Sequence, residues 1–191
     1  MVIMGLGTGR SGTHSFSKLM NKYNINLTHE KSGFVWEFDE NKLNRYVRKL
    51  KNKETDGDIA FFNINYIEPL FKEFPDMKVV VLKRQKERVV RSFLGRWGHK
   101  GFLRPGNGGN LLFPNYDLSK EEALPLYYDD YYKKIDKLME KYPNNIKLYT
   151  MDAFNDKETQ IDMLKFIGIE NPDVNLNIRL DRSNKSDGEL D

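Results

Sequence analysis

The sequence predicts an α/β protein in three layers, α/β/α, with helices on both faces of a central, mainly parallel sheet. Three observations lead to this fold class. Short apolar runs alternate with longer segments of helical periodicity. The run at residues 79–82 is continuously apolar, as in strands that are covered on both faces. Near the start of the chain, an apolar strand leads into a glycine-rich turn and a helix start, which is the order of a phosphate-binding strand–loop–helix.

Local signals place each predicted element in chain order. Apolar runs predict strands at residues 2–6, 25–27, 59–62, 78–82 and 146–150. Apolar residues three or four positions apart predict helices at residues 13–23, 39–53, 66–74, 86–97, 119–141 and 156–167. Asp39 is a suitable N-cap for the second helix and Gly168 a suitable C-cap for the last. Pro69 and Pro125 fall in the first turns of their helices, where proline is tolerated.

The chain organisation follows from length and from the segments between these elements. At 191 residues the chain is long enough for one domain with a sizeable core, which we expect at residues 1–182. Residues 98–110 contain five of the fourteen glycines and are predicted to form a mobile loop. The polar residues 183–191 are predicted to form a flexible C-terminal tail.

Charge and cysteine content exclude several classes of function. The net charge of +3 is small and its Lys and Arg residues are spread out, so nucleic-acid binding is not expected, whereas an anionic cofactor is compatible with it. The absence of cysteine excludes disulfides, thiolate catalysis and cysteine metal sites. No signal peptide or membrane span is visible. We therefore expect a cytoplasmic protein, although a chain that had lost an N-terminal anchor would have the same sequence.

The glycine-rich loop differs from a nucleoside-triphosphate loop. Aligned as Gly7-x-x-x-x-Gly12, it has Thr13 where the lysine is expected and His14 where the magnesium-binding Ser or Thr is expected. Its one cation, Arg10, precedes the last glycine. The loop therefore predicts a phosphate-bearing cofactor that is bound without the usual magnesium–ATP machinery.

A second group of polar residues follows the central strand. Arg84 comes directly after the strand, and Ser92 lies eight residues later on the next helix, where Arg88 shares its face. Ligands of open α/β sheets bind at the carboxyl ends of the strands. An arginine fork with a hydroxyl suits a second phosphate there.

Both groups resemble motifs of the PAPS-dependent sulfotransferases (PAPS is 3′-phosphoadenosine-5′-phosphosulfate). The run Gly9-Arg10-Ser11-Gly12-Thr13, followed by an amphipathic helix, resembles the 5′-phosphosulfate loop of that family. The strand–Arg84-x7-Ser92 pattern resembles its 3′-phosphate site. Residues 148–154 and 163–169 are similar to the family's late strand, acidic turn and Phe-Leu-Gly helix end. The resemblance implies a P-loop-like fold, PAPS as sulfuryl donor with PAP (3′-phosphoadenosine-5′-phosphate) as product, and no metal.

The resemblance also implies roles for individual residues. Arg10 corresponds to the cation beside the transferred group, where it stabilises developing charge. The cofactor-binding residues implied are Gly9, Arg10, Ser11, Gly12, Thr13, His14, Ser15, Arg84 and Ser92. The family's general base corresponds in position to Glu30, and the adjacent His29 is the alternative. Because neighbouring residues at a strand end point in different directions, we expect only one of the two to face the site, and we favour Glu30.

The sequence leaves open the acceptor, two alternative functions and the role of a tyrosine cluster. The acceptor is a hydroxyl or amine of a carbohydrate, peptide or small molecule. The alternatives to a sulfotransferase are a P-loop kinase of a small substrate, which would need magnesium, and a non-catalytic nucleotide-binding protein. A cluster of tyrosines on the fifth predicted helix is interpreted either as a sugar-stacking surface or as core packing, and its members are Tyr127, Tyr128, Tyr131 and Tyr132.

Overall fold

The computed structural model of the protein describes residues 1–96 and 113–174. Within these residues five strands form, at Ile3–Leu6 (β1), Leu27–His29 (β2), Gly57–Ile59 (β3), Lys78–Lys83 (β4) and Ile146–Thr150 (β5). The α-helices are Thr13–Lys22 (α1), Glu40–Lys51 (α2), Ile67–Glu73 (α3), Lys86–Arg96 (α4), Lys120–Lys141 (α5) and Lys157–Phe166 (α6). Short 3-10 helices span Phe61–Tyr66 and Met151–Phe154. The predicted glycine-rich loop at 98–110 and the tail at 183–191 lie outside the described residues.

The five strands form one parallel sheet in the order β2-β3-β1-β4-β5. In register, Ile3 of β1 pairs with Gly57 on one side and with Lys78 on the other. β1 is therefore central, and the chain leaves it towards β2 and β3 before crossing back to β4 and β5. Such a reversal of strand order opens a crevice at the carboxyl ends of the strands.

Alternating side chains of the central strands serve two apolar cores. One face packs against α2, α3, α4 and α5, and the sheet contributes Met4, Leu6, Val79 and Val81 to it. The opposite face packs against α1 and α6, and the sheet contributes Ile3, Ile59, Val80 and Leu82 to it. Both faces are covered, which confirms the predicted three-layer α/β/α class and explains the continuous apolar run of β4.

Two predicted strands were misplaced by two residues. The second was expected at 25–27, but the amide of Ile25 bonds to Met20 O at 3.2 Å in the turn that ends α1, and pairing with β3 starts only at Leu27. The third was expected at 59–62, but Phe61 begins a 3-10 helix. The true strand contains the polar Asp58 and starts at Gly57, where a Cβ would collide with the carbonyl of Ile3.

The helix ends agree with the local signals in the sequence. Asp39 caps α2 by accepting from Lys42 N at 3.1 Å, and Ser119 caps α5 in a reciprocal arrangement with Glu122. Gly168 follows α6 with a φ of 87°, a conformation that favours glycine. Pro125 lies inside α5, near its start, as expected.

Candidate functional site

The candidate site is the loop that joins β1 to α1 at the carboxyl edge of the sheet. The amide of Ser11 donates to Thr8 O at 3.2 Å and closes the turn, and Gly12 leads into the helix with a φ of 92°. No side chain caps the start of α1, and its first turn contains no acidic residue. The first-turn amides and the positive end of the helix dipole are thus available to an anion.

Close packing explains the glycines of this loop. A Cβ at Gly7 would lie 2.8 Å from Leu82 O, and one at Gly9 would lie 2.7 Å from Cζ of Phe93. At Gly12 a Cβ would collide with Sδ of Met151. The loop therefore packs closely against the end of β4, against α4 and against the turn after β5. Glycine, which has no side chain, allows each of these contacts.

Arg10 joins the loop to the second predicted group. Its Nε donates to Oγ of Ser92 at 2.8 Å, while Nη1 of Arg84 donates to the Arg10 carbonyl at 3.3 Å. The backbone of Arg10 is left-handed, with a φ of 68°, which is uncommon for a residue with a side chain. The structure thus brings Arg10 together with Arg84 and Ser92, which lie 74 and 82 positions later in the sequence, and their role in binding a cofactor stays a prediction.

Two hydroxyl groups in the loop are buried without a partner. Oγ1 of Thr8 and Oγ of Ser11 belong to fully buried residues and form no hydrogen bond among the described residues. Burying an unpaired hydroxyl costs free energy, and most buried polar groups in proteins are paired. Unpaired hydroxyls beneath a helix start that lacks a cap are consistent with a loop whose polar partner is a ligand.

The remaining predicted loop residues occupy the first turn of α1. Thr13 is buried, Ser15 is half-buried and His14 is exposed. Oγ1 of Thr13 lies 2.9 Å from Nε2 of His29, the last residue of β2. The rings of His14 and His29 form a T-shaped contact, with centroids 5.3 Å apart and an interplanar angle of 80°. The edge strand β2 therefore contributes directly to the surroundings of the loop.

His29 and Glu30 differ in environment, as predicted for neighbours at a strand end. His29 is half-buried and contacts Thr13, and burial lowers the pKa of its imidazole. Glu30 is exposed, has a left-handed φ of 56°, and donates its amide to Ile59 O at 3.1 Å. Although Glu30 is exposed as a residue, surrounding protein atoms partly desolvate its carboxyl and raise its pKa; the charge of Asp58 adds to this, whereas His14 opposes it.

Asp58 was not singled out from the sequence, but it holds the turn that carries both base candidates. This fully buried carboxylate accepts from Oγ1 of Thr28 at 2.7 Å, from the Lys31 amide at 2.9 Å and from Nδ2 of Asn63 at 3.2 Å. These contacts bridge the residues on either side of His29 and Glu30. The available signal was an acidic residue directly before the apolar run at 59–62.

The tyrosine cluster of α5 is packing, so its interpretation as a sugar-stacking surface is wrong. All four rings are buried. The hydroxyls of three nevertheless reach the site: Tyr131 accepts from the Gly7 amide at 3.0 Å, Tyr132 donates to Leu82 O at 2.8 Å and Tyr128 donates to Arg84 O at 2.7 Å. The sequence signal for these hydrogen bonds was the cluster of tyrosines itself, because a buried phenol hydroxyl needs a hydrogen-bond partner.

Within residues 1–96 and 113–174, no group of three or more His, Asp or Glu side chains is arranged to hold a metal ion. No helix in the same ranges has the length and apolar character required to cross a bilayer.

Comparisons with known proteins support the fold. No protein-family model and no curated protein matches the sequence. Among solved structures, the chain is similar to the YorR protein of Bacillus subtilis in complex with phosphorylated GDP, with a TM-score of 0.53 and 13% identity over 87% of this chain and 95% of that one. At this identity the similarity shows a shared fold alone. The fold and the loop together define an α/β protein of the P-loop-like class.

Two further structures cover most of the chain with lower TM-scores. An uncharacterized protein from Eubacterium ventriosum has a TM-score of 0.44 and 17% identity over 88% of this chain and 99% of that one. Shikimate kinase from Bacteroides thetaiotaomicron has a TM-score of 0.40 and 11% identity over 87% of this chain and 98% of that one. None of these three structures is described as a sulfotransferase.

Proposed function

We propose that the protein is a PAPS-dependent sulfotransferase acting on a hydroxyl or amine of a carbohydrate, peptide or small molecule. The observation that carries the proposal is the contact of Arg10 with Ser92 and Arg84. It joins two anion-binding features, the uncapped start of α1 and the arginine–hydroxyl pair after β4. A nucleotide that bears phosphates on both its 5′ and 3′ positions matches such a divided site.

The loop residues fit the phosphates of PAPS. The first-turn amides and the buried, unpartnered hydroxyls of Thr8 and Ser11 surround the start of α1. Arg10 supplies positive charge at the position where the family resemblance places the transferred group. Thr13 and His14 stand in place of the lysine and the magnesium-binding hydroxyl of a nucleoside-triphosphate loop. These substitutions favour a sulfuryl donor over magnesium–ATP.

Different residues around the loop stabilise charge and remove a proton in the proposed sulfuryl transfer. In the transfer, the acceptor oxygen or nitrogen bonds to sulfur, the bond from sulfur to the bridging phosphate oxygen breaks, and the acceptor's proton passes to a base. Arg10 and the helix amides stabilise charge on the leaving phosphate. We assign the base to Glu30, because a raised pKa makes it a stronger proton acceptor than an ordinary carboxylate. Nε2 of His29 is already engaged by Thr13, so only its Nδ1 would be available.

A second candidate is a P-loop kinase of a small substrate. The observation in its favour is the fold shared with YorR, whose structure contains phosphorylated GDP. The residues of the loop count against it, since neither Thr13 nor His14 replaces the missing lysine. A non-catalytic nucleotide-binding protein is the third possibility, and Arg10 and Glu30 in strained backbone conformations count against it.

Ligand-induced thermal stabilisation separates these functions. A ligand that binds only the folded state raises the melting temperature, by an amount that corresponds to about 2.7 kcal/mol at a hundredfold excess over its Kd. We expect PAP to stabilise the protein more than ATP–magnesium, GDP–magnesium or buffer. Stabilisation by ATP–magnesium or GDP–magnesium without stabilisation by PAP would instead support the kinase, and the sulfotransferase proposal would fail.

Arg84→Ala tests the 3′-phosphate site. We expect this variant to lose more affinity for PAP than for adenosine 5′-phosphosulfate, because only PAP carries the 3′-phosphate. Arg48→Ala is the control, since Arg48 is an exposed arginine on α2 whose Nε contacts only its own helix, at Asn44 O. Equal losses for both ligands in Arg84→Ala would contradict a 3′-phosphate role.

A further inference from the structure

The buried tyrosines of α5 contact both halves of the proposed nucleotide site. Tyr131 bonds to Gly7 at the start of the phosphate loop, and Tyr128 bonds to Arg84 at the end of β4. Between them, Tyr132 bonds to Leu82. Tyr131, Tyr132 and Tyr128 are 0%, 4% and 7% exposed, so their rings are closed to a ligand, while their hydroxyls bond to the backbone of Gly7, Leu82 and Arg84.

The spacing of these tyrosines matches the spacing of their targets. Tyr128 and Tyr132 are four helical residues apart, a rise of about 6 Å. Their acceptors, the carbonyls of Arg84 and Leu82, are two residues apart in extended chain, about 6.6 Å. The helix lies antiparallel to β4, because the later tyrosine contacts the earlier carbonyl. Two tyrosines one helical turn apart on α5 thus bond to carbonyls two residues apart at the end of β4.

The hydrogen bond of Tyr131 extends this matched spacing from β4 to its neighbour in the sheet, β1. Leu6 of β1 pairs with Val81 of β4, so Gly7 and Leu82 are the next positions along the two strands. The adjacent residues Tyr131 and Tyr132 bond to these two positions. Their hydroxyls fix the point at which the loop leaves the sheet relative to the end of β4.

We propose that Tyr131 and Tyr128 are positioning residues of the nucleotide site. Tyr131 orients the start of the phosphate loop, and Tyr128 orients the backbone of Arg84, whose side chain in turn contacts Arg10 O. Together they set the distance between the 5′- and 3′-phosphate positions. The assignment of ligand groups to these positions rests on the proposed function, whereas the bracing of the loop does not. Tyrosine suits this task because its rigid ring holds the hydroxyl at a fixed distance from the Cβ atom.

Isosteric variants make the two roles separable. We expect Tyr131→Phe to weaken PAP and 5′-AMP about equally, each by about tenfold, because the loop serves the 5′-phosphate that both ligands carry. We expect Tyr128→Phe to weaken PAP by about tenfold and 5′-AMP much less, because it acts through Arg84. For Tyr128→Phe the readout is the ratio of the two Kd values, which a general loss of stability would not change. For Tyr131→Phe the readout is the fall in affinity for both ligands, compared with a control variant of similar stability.

Tyr66→Phe provides a matched control. Tyr66 is also fully buried, and its hydroxyl also accepts a backbone amide, that of Asp39, at 3.0 Å; it donates in turn to Glu37 O at 2.9 Å, and neither partner belongs to the loop between β1 and α1. We expect it to lower the melting temperature as Tyr131→Phe does and to leave both Kd values unchanged. If Tyr131→Phe likewise lowers stability without changing either Kd, or if Tyr128→Phe leaves the ratio unchanged, the corresponding positioning role is overturned.

Failure of the proposed function gives a different result. If the wild-type protein binds ATP–magnesium and neither PAP nor 5′-AMP, the sulfotransferase proposal fails, and ATP–magnesium becomes the probe for Tyr131→Phe and Tyr66→Phe. A loss of ATP affinity in Tyr131→Phe alone would support bracing of the loop. Equal ATP affinity in the two variants would overturn it.

Discussion

Arg10 and Ser92 form a hydrogen bond at 2.8 Å although they are 82 positions apart in sequence. One residue lies in the loop after β1, and the other lies two turns into α4. The bond places the cation of the loop on the hydroxyl that the family resemblance assigns to the 3′-phosphate. The two phosphate positions of the proposed cofactor therefore share a physical link, and a change at one is expected to affect the other.

Ser92→Ala tests this link. We expect PAP affinity to fall by about tenfold, because the hydroxyl is lost both as a phosphate ligand and as the acceptor of Arg10 Nε. Titration with PAP measures the effect. Ser32→Ala is the matched control, since both serines are 6% exposed and the Ser32 hydroxyl donates to Asn63. Unchanged PAP affinity in Ser92→Ala would contradict the assignment.

Gly12→Ala and Gly33→Ala separate backbone strain from loss of space. Both glycines have positive φ, 92° and 79°, so both variants lose about 1 kcal/mol through strain. A Cβ at Gly33 meets nothing within 4 Å, whereas one at Gly12 collides with Met151. We expect a larger loss in Gly12→Ala, together with a loss of PAP binding. Denaturant unfolding and PAP titration measure both, and equal effects in the two variants would show that the contact is unimportant.

Glu30→Gln tests the general base. The wild-type rate is expected to fall at low pH with a midpoint above the ordinary carboxyl pKa of 4.5, because the Glu30 pKa is raised and only the carboxylate accepts a proton. We expect the variant to keep PAP binding, and to lose transfer and this acid limb. The pH dependence of kcat/KM with an identified acceptor is the measurement. Full activity in Glu30→Gln would move the base to His29 or elsewhere.

His29→Gln tests the pH dependence of stability. Burial lowers the His29 pKa below its ordinary value of 6.5, with Asp58 acting in the opposite direction. The unfolded chain then takes up the proton more readily than the folded protein. The contribution of His29 is present above 6.5 and is lost as the pH falls from 6.5 towards the lowered pKa.

Unfolding at several pH values measures this contribution. Between about pH 8 and about pH 5 the wild type should lose more stability than His29→Gln, since the variant has no imidazole to titrate at this position. Burial, and to a lesser extent the charge of His29, also lowers the pKa of His14, so a smaller slope from His14 persists in the variant. Identical slopes in the two proteins would show that the pKa of His29 is not lowered by folding.

The fold class, the helices and the glycine-rich loop after β1 could be predicted because their signals are local. Continuous apolar runs mark β4, glycines mark the loop, and Asp39 and Gly168 mark helix ends through contacts within a few residues. The strands β2 and β3 were misplaced because both are three residues long and are defined by pairing rather than by composition. β3 starts at Gly57, where any Cβ would collide with the carbonyl of Ile3 in β1, a requirement that only the packed sheet reveals.

The sequence by itself determined which residues form the loop, that Arg10 is its cation, and that Arg84 and Ser92 follow the central strand. Only the tertiary structure decided that Arg10 contacts Ser92, that His29 contacts Thr13, and that Asp58 holds the turn with Glu30. It also decided that the α5 tyrosines bond to the loop and to β4. The physical reason is that such contacts join distant segments through the register of the sheet and the packing of helices on it, which no local pattern of residues specifies.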